Sequence, residues 1–456
     1  MSTLKRIDPI SVPAVDNSLA IFDILPTSVA FNRTQTRELL PLMAVSRDGP
    51  YTFRLFSDSQ FINLNRTWFY LISSLEKYDN TNKTWGPLTD TADDKNTGVI
   101  QNYGSSFIKQ LKVSINGIDV FNSGVLYPWR SYIANEFGLS LDFKSGLYQA
   151  SCYYPDHAIG QDSYKNEGLK NRINQFAKSN KAHTMALLNF DLANQNNLFL
   201  NHSDIIFTIW PSSDKFLILA PDYKVDNTGK TNQTQYRIVV HDVRLYCTVI
   251  DVVQSLQNQI AKELMSTPAK YPLRKIEARN LYLSEGTTNV TFNVFNSVIP
   301  RRLMVFFINN KAFDGNFEKS PFNFEHGNLQ SIWVEANNLI VPSTPYRFDF
   351  ENKADHNYIR AFVDFYEGLD LKDQEKEILL TLDKFTNGWC GFVFPLSASH
   401  KDNGDSFELI KNGTTVIKAQ FSKAIEDPGL MLLALGEFDE VLTINADRIL
   451  SVDGSI

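Results

Sequence analysis

Histidines are the first residues to consider for chemistry, because an imidazole can bind a metal or move a proton near neutral pH. The chain has seven, at His157, His183, His202, His241, His326, His356 and His400. No two of them are spaced at i, i+2 or i, i+4, the spacings that place two ligands on one face of a strand or helix. A metal site would therefore have to be assembled from distant strands, and no local metal-binding motif is predicted.

Acidic residues come close together in two places. Asp349 and Glu351 flank Phe350 at strand spacing and could share a face, as the two carboxylates of a glycosidase must. Two acids on a strand edge also serve to prevent edge-to-edge pairing, and we favour that interpretation. The second group, within 370–377, mixes acids with lysines, which is typical of a solvated loop.

Motifs for nucleotide binding and for serine hydrolysis are absent from the sequence. It contains neither of the common Gly-rich phosphate loops and no Gly-x-Ser-x-Gly elbow. We therefore predict that the chain is not an enzyme and that it binds no cofactor.

Charge, cysteine content and hydropathy argue against a nucleic-acid-binding, a disulfide-stabilised and a membrane protein. The chain has 44 Lys and Arg against 51 Asp and Glu, and its net charge of −7 opposes a simple electrostatic grip on nucleic acid phosphates. Cys152, Cys247 and Cys390 lie far apart and are odd in number, so we predict buried, reduced thiols. No run of 18 uncharged apolar residues occurs and 1–13 lacks an apolar run, so neither a membrane span nor a signal peptide is expected.

The length and the side chains that could fill a core predict two β-rich domains. A chain of 456 residues exceeds what one core usually holds. It has 33 Phe and 18 Tyr, with Asn, Asp and Gly at short intervals between β-prone runs. Many short strands separated by turns favour β-sandwiches or barrels, although this pattern does not distinguish a jelly roll from another Greek-key sandwich.

Hairpins are predicted at two Asn-Gly dipeptides. Asn116-Gly117 lies between apolar runs at 107–115 and 118–121, and Asn412-Gly413 lies between 407–410 and 415–421. Both residues of such a turn take positive φ, so Asn-Gly between alternating runs is a strong hairpin signal. One hairpin in each half suggests that the two halves are related.

Strands are predicted from two patterns. The segment 66–75 is a β-prone run without Gly or Pro, and 290–294 alternates apolar with polar residues, as a half-exposed strand does. Continuous apolar runs predict strands covered on both faces. These runs are 205–210, 237–250, 302–308, 358–366 and 430–435.

Two helices are predicted between the strand blocks. Tyr127-Pro128 opens one that ends near Gly138, and an apolar stripe from Val252 to Leu264 indicates another, which Pro268 terminates. We place the domain boundary at the second helix. The predicted division is an N-terminal arm at 1–20, a first domain at 21–250, a helical linker at 251–270 and a second domain at 271–456.

Short segments spread along the chain resemble segments of one protein family, and they occur in the same order as in that family. They are 61–67, 111–117, 126–132, 269–274, 299–315, 320–324, 436–439 and 444–448. Together they resemble the double jelly-roll major capsid proteins of Polinton (Maverick) type viruses and transposable elements, a lineage that includes adintoviruses and is related to virophages. The segment 387–396 matches only loosely, and 139–181 has no recognisable counterpart.

This resemblance implies a fold, a function and a set of assembly residues. The fold would be all-β, with two tandem jelly-roll sandwiches joined by a short helix-containing linker. Three chains would form a pseudo-hexameric capsomer, and capsomers would tile an icosahedral shell around double-stranded DNA without sequence-specific contact. The motif residues implied in folding or assembly are Asn116, Gly117, Tyr127, Pro128, Arg130, Pro300, Arg301, Phe313, Gly315, Pro321 and Phe322.

The resemblance also implies partners and a location. The partners would be further copies of the chain, neighbouring capsomers and a single jelly-roll penton protein. The protein would be made in the host cytoplasm and would reside in the virion capsid, with assembly in the nucleus as one option.

Two other classes of function stay open. One is an enzyme on a jelly-roll scaffold with a dispersed metal or carboxylate site, which stoichiometric metal in the purified chain would reveal. The other is a domesticated glycan-binding protein that keeps the fold but does not assemble.

Overall fold

Two β-sandwiches follow each other along the chain. The computed structural model describes residue 10 and residues 16–19, 21–22, 24–79, 82–89, 92–157, 160–163, 165–220, 235–352, 357–398 and 407–453. His356, His400 and most of the predicted arm at 1–20 lie outside these residues. Apolar side chains alternate along most strands, so each sheet has one face against a common core.

The first sandwich is built from the strands between residues 31 and 252. They are β1 (Phe31–Leu39), β2 (Tyr51–Ser57), β3 (Phe61–Asp79), β4 (Thr84–Pro87), β5 (Gly98–Val99), β6 (Ile108–Ile115), β7 (Ile118–Asn122), β8 (Ala182–Leu187), β9 (Ser203–Pro211), β10 (Ile218–Leu219) and β11 (Tyr236–Val252). One sheet has the order β1-β11-β3-β8, with β4 also on β3, and the other has the order β2-β9-β6-β7.

The second sandwich follows from residue 269. Its strands are β12 (Ala269–Leu283), β13 (Asn289–Phe295), β14 (Arg302–Asn309), β15 (Leu329–Ala336), β16 (Leu339–Arg347), β17 (Gly391–Pro395), β18 (Thr415–Phe421), β19 (Leu430–Ile444) and β20 (Leu450–Asp453). Its sheets have the orders β12-β19-β14-β17 and β13-β18-β15-β16, and β20 extends the first sheet beside β19.

Helices occupy the connections. They are α1 (Ala92–Lys95), α2 (Tyr103–Ser106), α3 (Tyr127–Gly138), α4 (Leu141–Ser145), α5 (Glu167–Phe176), α6 (Asp214–Leu217), α7 (Gln254–Leu264), α8 (Asn310–Asp314), α9 (Ile359–Gly368) and α10 (Leu382–Thr386). Short 3-10 turns lie at Asn17–Leu19, Gly124–Leu126, Leu147–Ser151, Ala177–Ser179 and Asp191–Asn194. Among the described helices α3 is the longest, and its 12 residues are too few to cross a bilayer.

Both sandwiches are jelly rolls with the same strand order. If β4, β5, β10 and β20 are left out, each half has eight strands, which can be numbered 1 to 8 in chain order. In both halves one sheet then has the order 1-8-3-6 and the other 2-7-4-5, all antiparallel. The chain is therefore all-β with two tandem jelly rolls, as the sequence predicts, and α7 lies between them.

Several local predictions are confirmed. Asn116 and Gly117 have φ of 50° and 82° and join β6 to β7, as the Asn-Gly signal requires. The helices predicted after Tyr127 and near 252–264 are α3 and α7. The alternation in β13 buries Val290 and Val294 and leaves the intervening polar residues outside.

Three local predictions are wrong. The apolar run 358–366 is not a strand but helix α9, because a short continuous apolar run has the same composition in a buried strand and in a helix. Residues 407–410 form no strand, so Asn412-Gly413 closes no hairpin; Asn412 instead bridges Val298. Asp349 and Glu351 lie in a turn, where the Asp349 carboxylate accepts hydrogen bonds from the Glu351 and Asn352 amides.

Another expectation holds only in part. The run 205–210 lies in β9 as a strand, but it alternates buried with half-buried residues and is not covered equally on both faces. By contrast, 302–308 in β14 and 430–435 in β19 are buried almost throughout, since each lies inside its sheet.

Glycine is favoured at position 117 by the backbone conformation and not by a lack of room for a side chain. A Cβ added at Gly117 or at Gly138 would meet no atom within 4 Å, but only Gly117 has a positive φ, of 82°. We expect Gly117→Ala to lower the free energy of unfolding by about 1 kcal/mol. Urea unfolding checks this, with Gly138→Ala as the matched control; equal losses in the two variants would contradict it.

Candidate functional site: the seam between the jelly rolls

Helix α3 belongs to the first jelly roll but packs against the second. Proline is favoured in the first turn of a helix, because an amide hydrogen there has no partner within the helix and Pro128 has none to leave unpaired. Ten of its twelve residues are buried, which a helix on the surface of one sandwich would not show. We call the surface along which α3 and its neighbours meet the second jelly roll the seam.

Aromatic rings form the apolar part of the seam. Trp129 stacks on Phe313 with ring centroids 4.3 Å apart, and Tyr132 stacks on Phe322 at 4.1 Å. Further along the helix, Phe137 meets Phe365 edge to face at 5.0 Å. Stacked and edge-to-face pairs each contribute about 1 kcal/mol beyond the area that they bury.

Two backbone features bring the second jelly roll close to α3. The Trp129 indole donates a hydrogen bond of 3.0 Å to the Pro321 carbonyl. Gly315 has a φ of 99°, and a Cβ there would lie 2.9 Å from the Phe216 amide nitrogen. Both the backbone conformation and the close approach to α6 therefore require glycine at 315.

A buried ion pair of the first jelly roll, Arg130 with Asp191, contacts the second jelly roll at Ile276. Arg130 is 3% exposed, pairs with the Asp191 carboxylate and donates a hydrogen bond of 2.8 Å to the Ile276 carbonyl of β12. Asp191 also accepts a hydrogen bond of 3.3 Å from the Ile276 amide. The pair thus satisfies both backbone groups of one residue in the second jelly roll.

Another buried group, Glu136, lies near the end of α3. Its carboxylate accepts a hydrogen bond of 3.0 Å from the Trp389 indole and another from the Tyr153 hydroxyl. The Lys144 ammonium donates to the Glu136 carbonyl and, at 2.9 Å, to the Ile378 carbonyl. Burial lowers the pKa of Lys144, although Glu136 opposes the change.

Arginines surround Glu437 beside the seam. Arg302 and Glu437 line a cavity of about 290 Å³ together with Arg130. Arg302 Nε lies 3.0 Å from the Glu437 carboxylate, and Arg274 Nη1 lies 3.5 Å from it. Burial by itself would raise the pKa of Glu437, but the neighbouring guanidinium groups outweigh it and lower that pKa.

Some of the residues singled out from the sequence make contacts between the two jelly rolls, and the others do not. Arg130, Phe313, Gly315, Pro321 and Phe322 meet at the seam, as described above. At the tip of the β6–β7 hairpin, Gly117 turns the chain and the side-chain Nδ2 of Asn116 donates a hydrogen bond of 2.9 Å to the Arg448 carbonyl of the second jelly roll. Their role in assembly stays a prediction.

The remaining predicted residues lie away from the crossing contacts. Tyr127 and Pro128 begin α3, and the Tyr127 hydroxyl accepts a hydrogen bond of 3.0 Å from the Asn189 amide within the first jelly roll. Pro300 is buried in the second jelly roll, and Arg301 pairs with Asp439 at 3.1 Å there.

Sequence reasoning missed several residues of the seam. Trp129 and Tyr132 stand within the matched segment 126–132, so their large rings were a usable signal. Asp191 and Trp389 gave none, because they are 61 and 253 residues from Arg130 and Glu136.

The seam offers packing and charge pairing but no cluster of metal ligands. Among the described residues no group of three His, Cys, Asp or Glu side chains lies close enough to hold a metal ion. The three cysteines are buried and unpaired, and burial raises the pKa of Cys152 and Cys247 to about 12. The arrangement can hold two domains together, and the thiols are poor nucleophiles at neutral pH.

Solved structures with this architecture come from viral capsids. A chain of the Sputnik virophage matches with a TM-score of 0.65 and 12% identity, over 99% of this chain and 94% of that one. The mavirus major capsid protein matches with a TM-score of 0.55 and 12% identity, over 99% and 96% of the two chains. The Faustovirus major capsid protein matches with a TM-score of 0.54 and 9% identity, over 96% and 93%. The chain thus has the double jelly-roll fold that the mavirus and Faustovirus major capsid proteins have.

By sequence, the chain is similar to an animal protein. The uncharacterized protein F54H12.2 of Caenorhabditis elegans is 25% identical over 419 residues, which cover 91% of this chain and 95% of that one. No family model matches the sequence.

Charge reversal at Arg130 tests the polar part of the seam. We expect Arg130→Glu to lower the free energy of unfolding by about 3 to 5 kcal/mol, because it leaves Asp191 buried beside a second negative charge. The control is Arg54→Glu, which breaks an exposed pair with Asp204. Thermal unfolding should show a large drop in Tm for the first variant and almost none for the second. Equal Tm values for Arg130→Glu and the wild type would show that the seam does not depend on this pair.

Acid titration tests the environment of Glu437. A carboxyl group whose pKa is lowered in the fold stabilises it above the ordinary value of 4.5, and this contribution is lost as the pH falls through the lowered pKa. We expect Glu437→Gln to cost about 3 kcal/mol at pH 7 and progressively less below pH 4.5. Urea unfolding of both proteins from pH 7 to pH 3 measures the difference. A difference that grows on acidification would contradict the account.

Proposed function

We propose that the protein is a major capsid protein, three copies of which form a pseudo-hexameric capsomer that tiles an icosahedral shell around double-stranded DNA. The observation that carries this proposal is the pair of jelly rolls of identical strand order held side by side by a buried seam. Each chain contributes two similar jelly rolls, so a ring of three chains contains six of them and has pseudo-sixfold symmetry.

Lineage and partners belong to the same proposal. The ordered sequence segments resemble the Polinton (Maverick) type, and a similar protein in an animal fits an element carried in animal genomes. The further partners would be neighbouring capsomers and a single jelly-roll penton protein. The formal charge of −7 fits a shell that encloses DNA without gripping its sequence. The protein would be made in the host cytoplasm and incorporated into virions.

The domain division is proposed along with the function. It assigns 21–250 and 271–456 to the two jelly rolls, 251–270 to the linker and 1–20 to an arm. Within the described residues, β1 to β11 come from the first range apart from the last residues of β11, and β12 begins at Ala269.

Size-exclusion chromatography with light scattering tests the capsomer. We expect a particle of three times the chain mass of 51.9 kDa at a concentration of about 10 μM, and shells by negative-stain electron microscopy at higher concentration. Obligate contacts of this type bury thousands of Å² and survive dilution. A monomer at this concentration that forms no shells would overturn the proposal. If that monomer bound glycans on an array, the domesticated binding protein would replace it.

A further inference from the structure

Helix α9 of the second jelly roll repeats the sequence pattern of α3. Arg130 and Gly138 are eight residues apart in α3, and Arg360 and Gly368 are eight residues apart in α9. After each Arg come a small residue, an aromatic and a β-branched aliphatic. These are Ser131, Tyr132 and Ile133 in α3, and Ala361, Phe362 and Val363 in α9. Helix α3 is the first described α-helix between β7 and β8, and α9 is the first described α-helix between β16 and β17; these are the fifth and sixth of the eight shared strands of each jelly roll.

The two helices differ in what covers them. Only Ala361, Phe365 and Gly368 of α9 are buried, against ten residues of α3. Ile133 is 2% exposed, whereas Val363 at the matching position is 45% exposed, and Ile359 is 46% exposed. The outer face of α9 therefore leaves apolar side chains in solvent where α3 has the second jelly roll upon it.

Strand β12, which receives Arg130, is the first strand of its jelly roll. Its counterpart in the first jelly roll is β1, which takes the same place at the edge of its sheet. None of the nine residues of β1 is buried, and Ile276, the residue of β12 that Arg130 contacts, is half-buried. Among the residues that the structure describes, one copy of the chain thus leaves a second α3-like helix and a second β12-like strand largely exposed.

We propose that α9 of one copy packs on β1 of a second copy, repeating between chains the contact that α3 makes with β12 within the chain. The inference rests on the proposed function, because it names the surface through which the capsomer closes. The contact is head to tail, since each copy offers α9 on one jelly roll and β1 on the other, and a head-to-tail contact closes into a ring of three when each copy is rotated by one third of a turn from the last.

The charges on the two surfaces suit this pairing. Helix α9 carries Arg360, Asp364 and Glu367, and β1 carries Arg33, Arg37 and Glu38, so the helix has one excess negative charge and the strand one excess positive charge. Within one copy Asp364 pairs with Arg360, and Glu367 pairs with Lys372. Burial of Ile359 and Val363 supplies the apolar centre, and the charged groups form the rim, as in protein interfaces generally.

Site-specific photocrosslinking tests the partner surface directly. Benzoylphenylalanine replaces Val363, and the oligomer is purified from a mixture of isotope-labelled and unlabelled chains before irradiation. The expected product joins the α9 peptide of one isotopic form to a peptide containing residues 31–39 of the other. The control places the same probe at Met265, which is 81% exposed just beyond α7, and should give no link to that peptide.

Substitution tests the energetic role of the same face. Val363→Asp should weaken self-association at least about tenfold, as expected for a residue near the centre of an interface. Its Tm should match that of the wild type under conditions where both are monomeric, because the side chain is half-exposed. Met265→Asp should associate like the wild type. Association unchanged by Val363→Asp would overturn the inference.

The outcomes separate this inference from the capsomer itself. Wild-type trimers whose crosslinks from position 363 fall outside β1 would overturn the α9–β1 pairing and leave the capsomer standing. A wild-type chain that stays monomeric would overturn both.

Discussion

Helix α3 lies between two β-sandwiches, and its burial on both sides is the constraint on which the rest of the structure depends. One side completes the core of the first jelly roll, while Trp129, Tyr132 and Phe137 enter the second. Apolar area of this size is costly to expose to water, so the two jelly rolls are stable together rather than as separate units.

Buried polar groups make that contact specific. Arg130 satisfies a backbone carbonyl of β12, and Glu136 accepts the indole hydrogen of Trp389. If the second jelly roll slid along α3, the Ile276 backbone groups and the Trp389 indole would lose their buried hydrogen-bond partners. Leaving such groups buried and unpaired is costly. The rings therefore supply most of the attraction, and the buried hydrogen bonds between the jelly rolls fix the register.

The parts of the fold that follow from local chemistry were predictable from the sequence. Asn116-Gly117 specifies its turn because both residues take positive φ, and Pro128 with Gly138 marks the ends of α3. Non-local facts were not. The run 358–366 gave no sign that one face would lie on a sheet and the other in solvent, so a helix was mistaken for a strand. Likewise, no pattern near Arg130 indicates Asp191, because only the tertiary fold brings the two together. The Asn412-Gly413 error has the same origin, since a turn signal forms a hairpin only if both flanking segments become strands.

Differential scanning calorimetry of the dilute chain tests most directly whether the seam makes one unit of two jelly rolls. The account predicts a single transition whose calorimetric and van't Hoff enthalpies agree, because neither sandwich can unfold without exposing α3. Two separate transitions, each with about half of the total enthalpy, would contradict it, since they would show that the jelly rolls are independent domains on a linker.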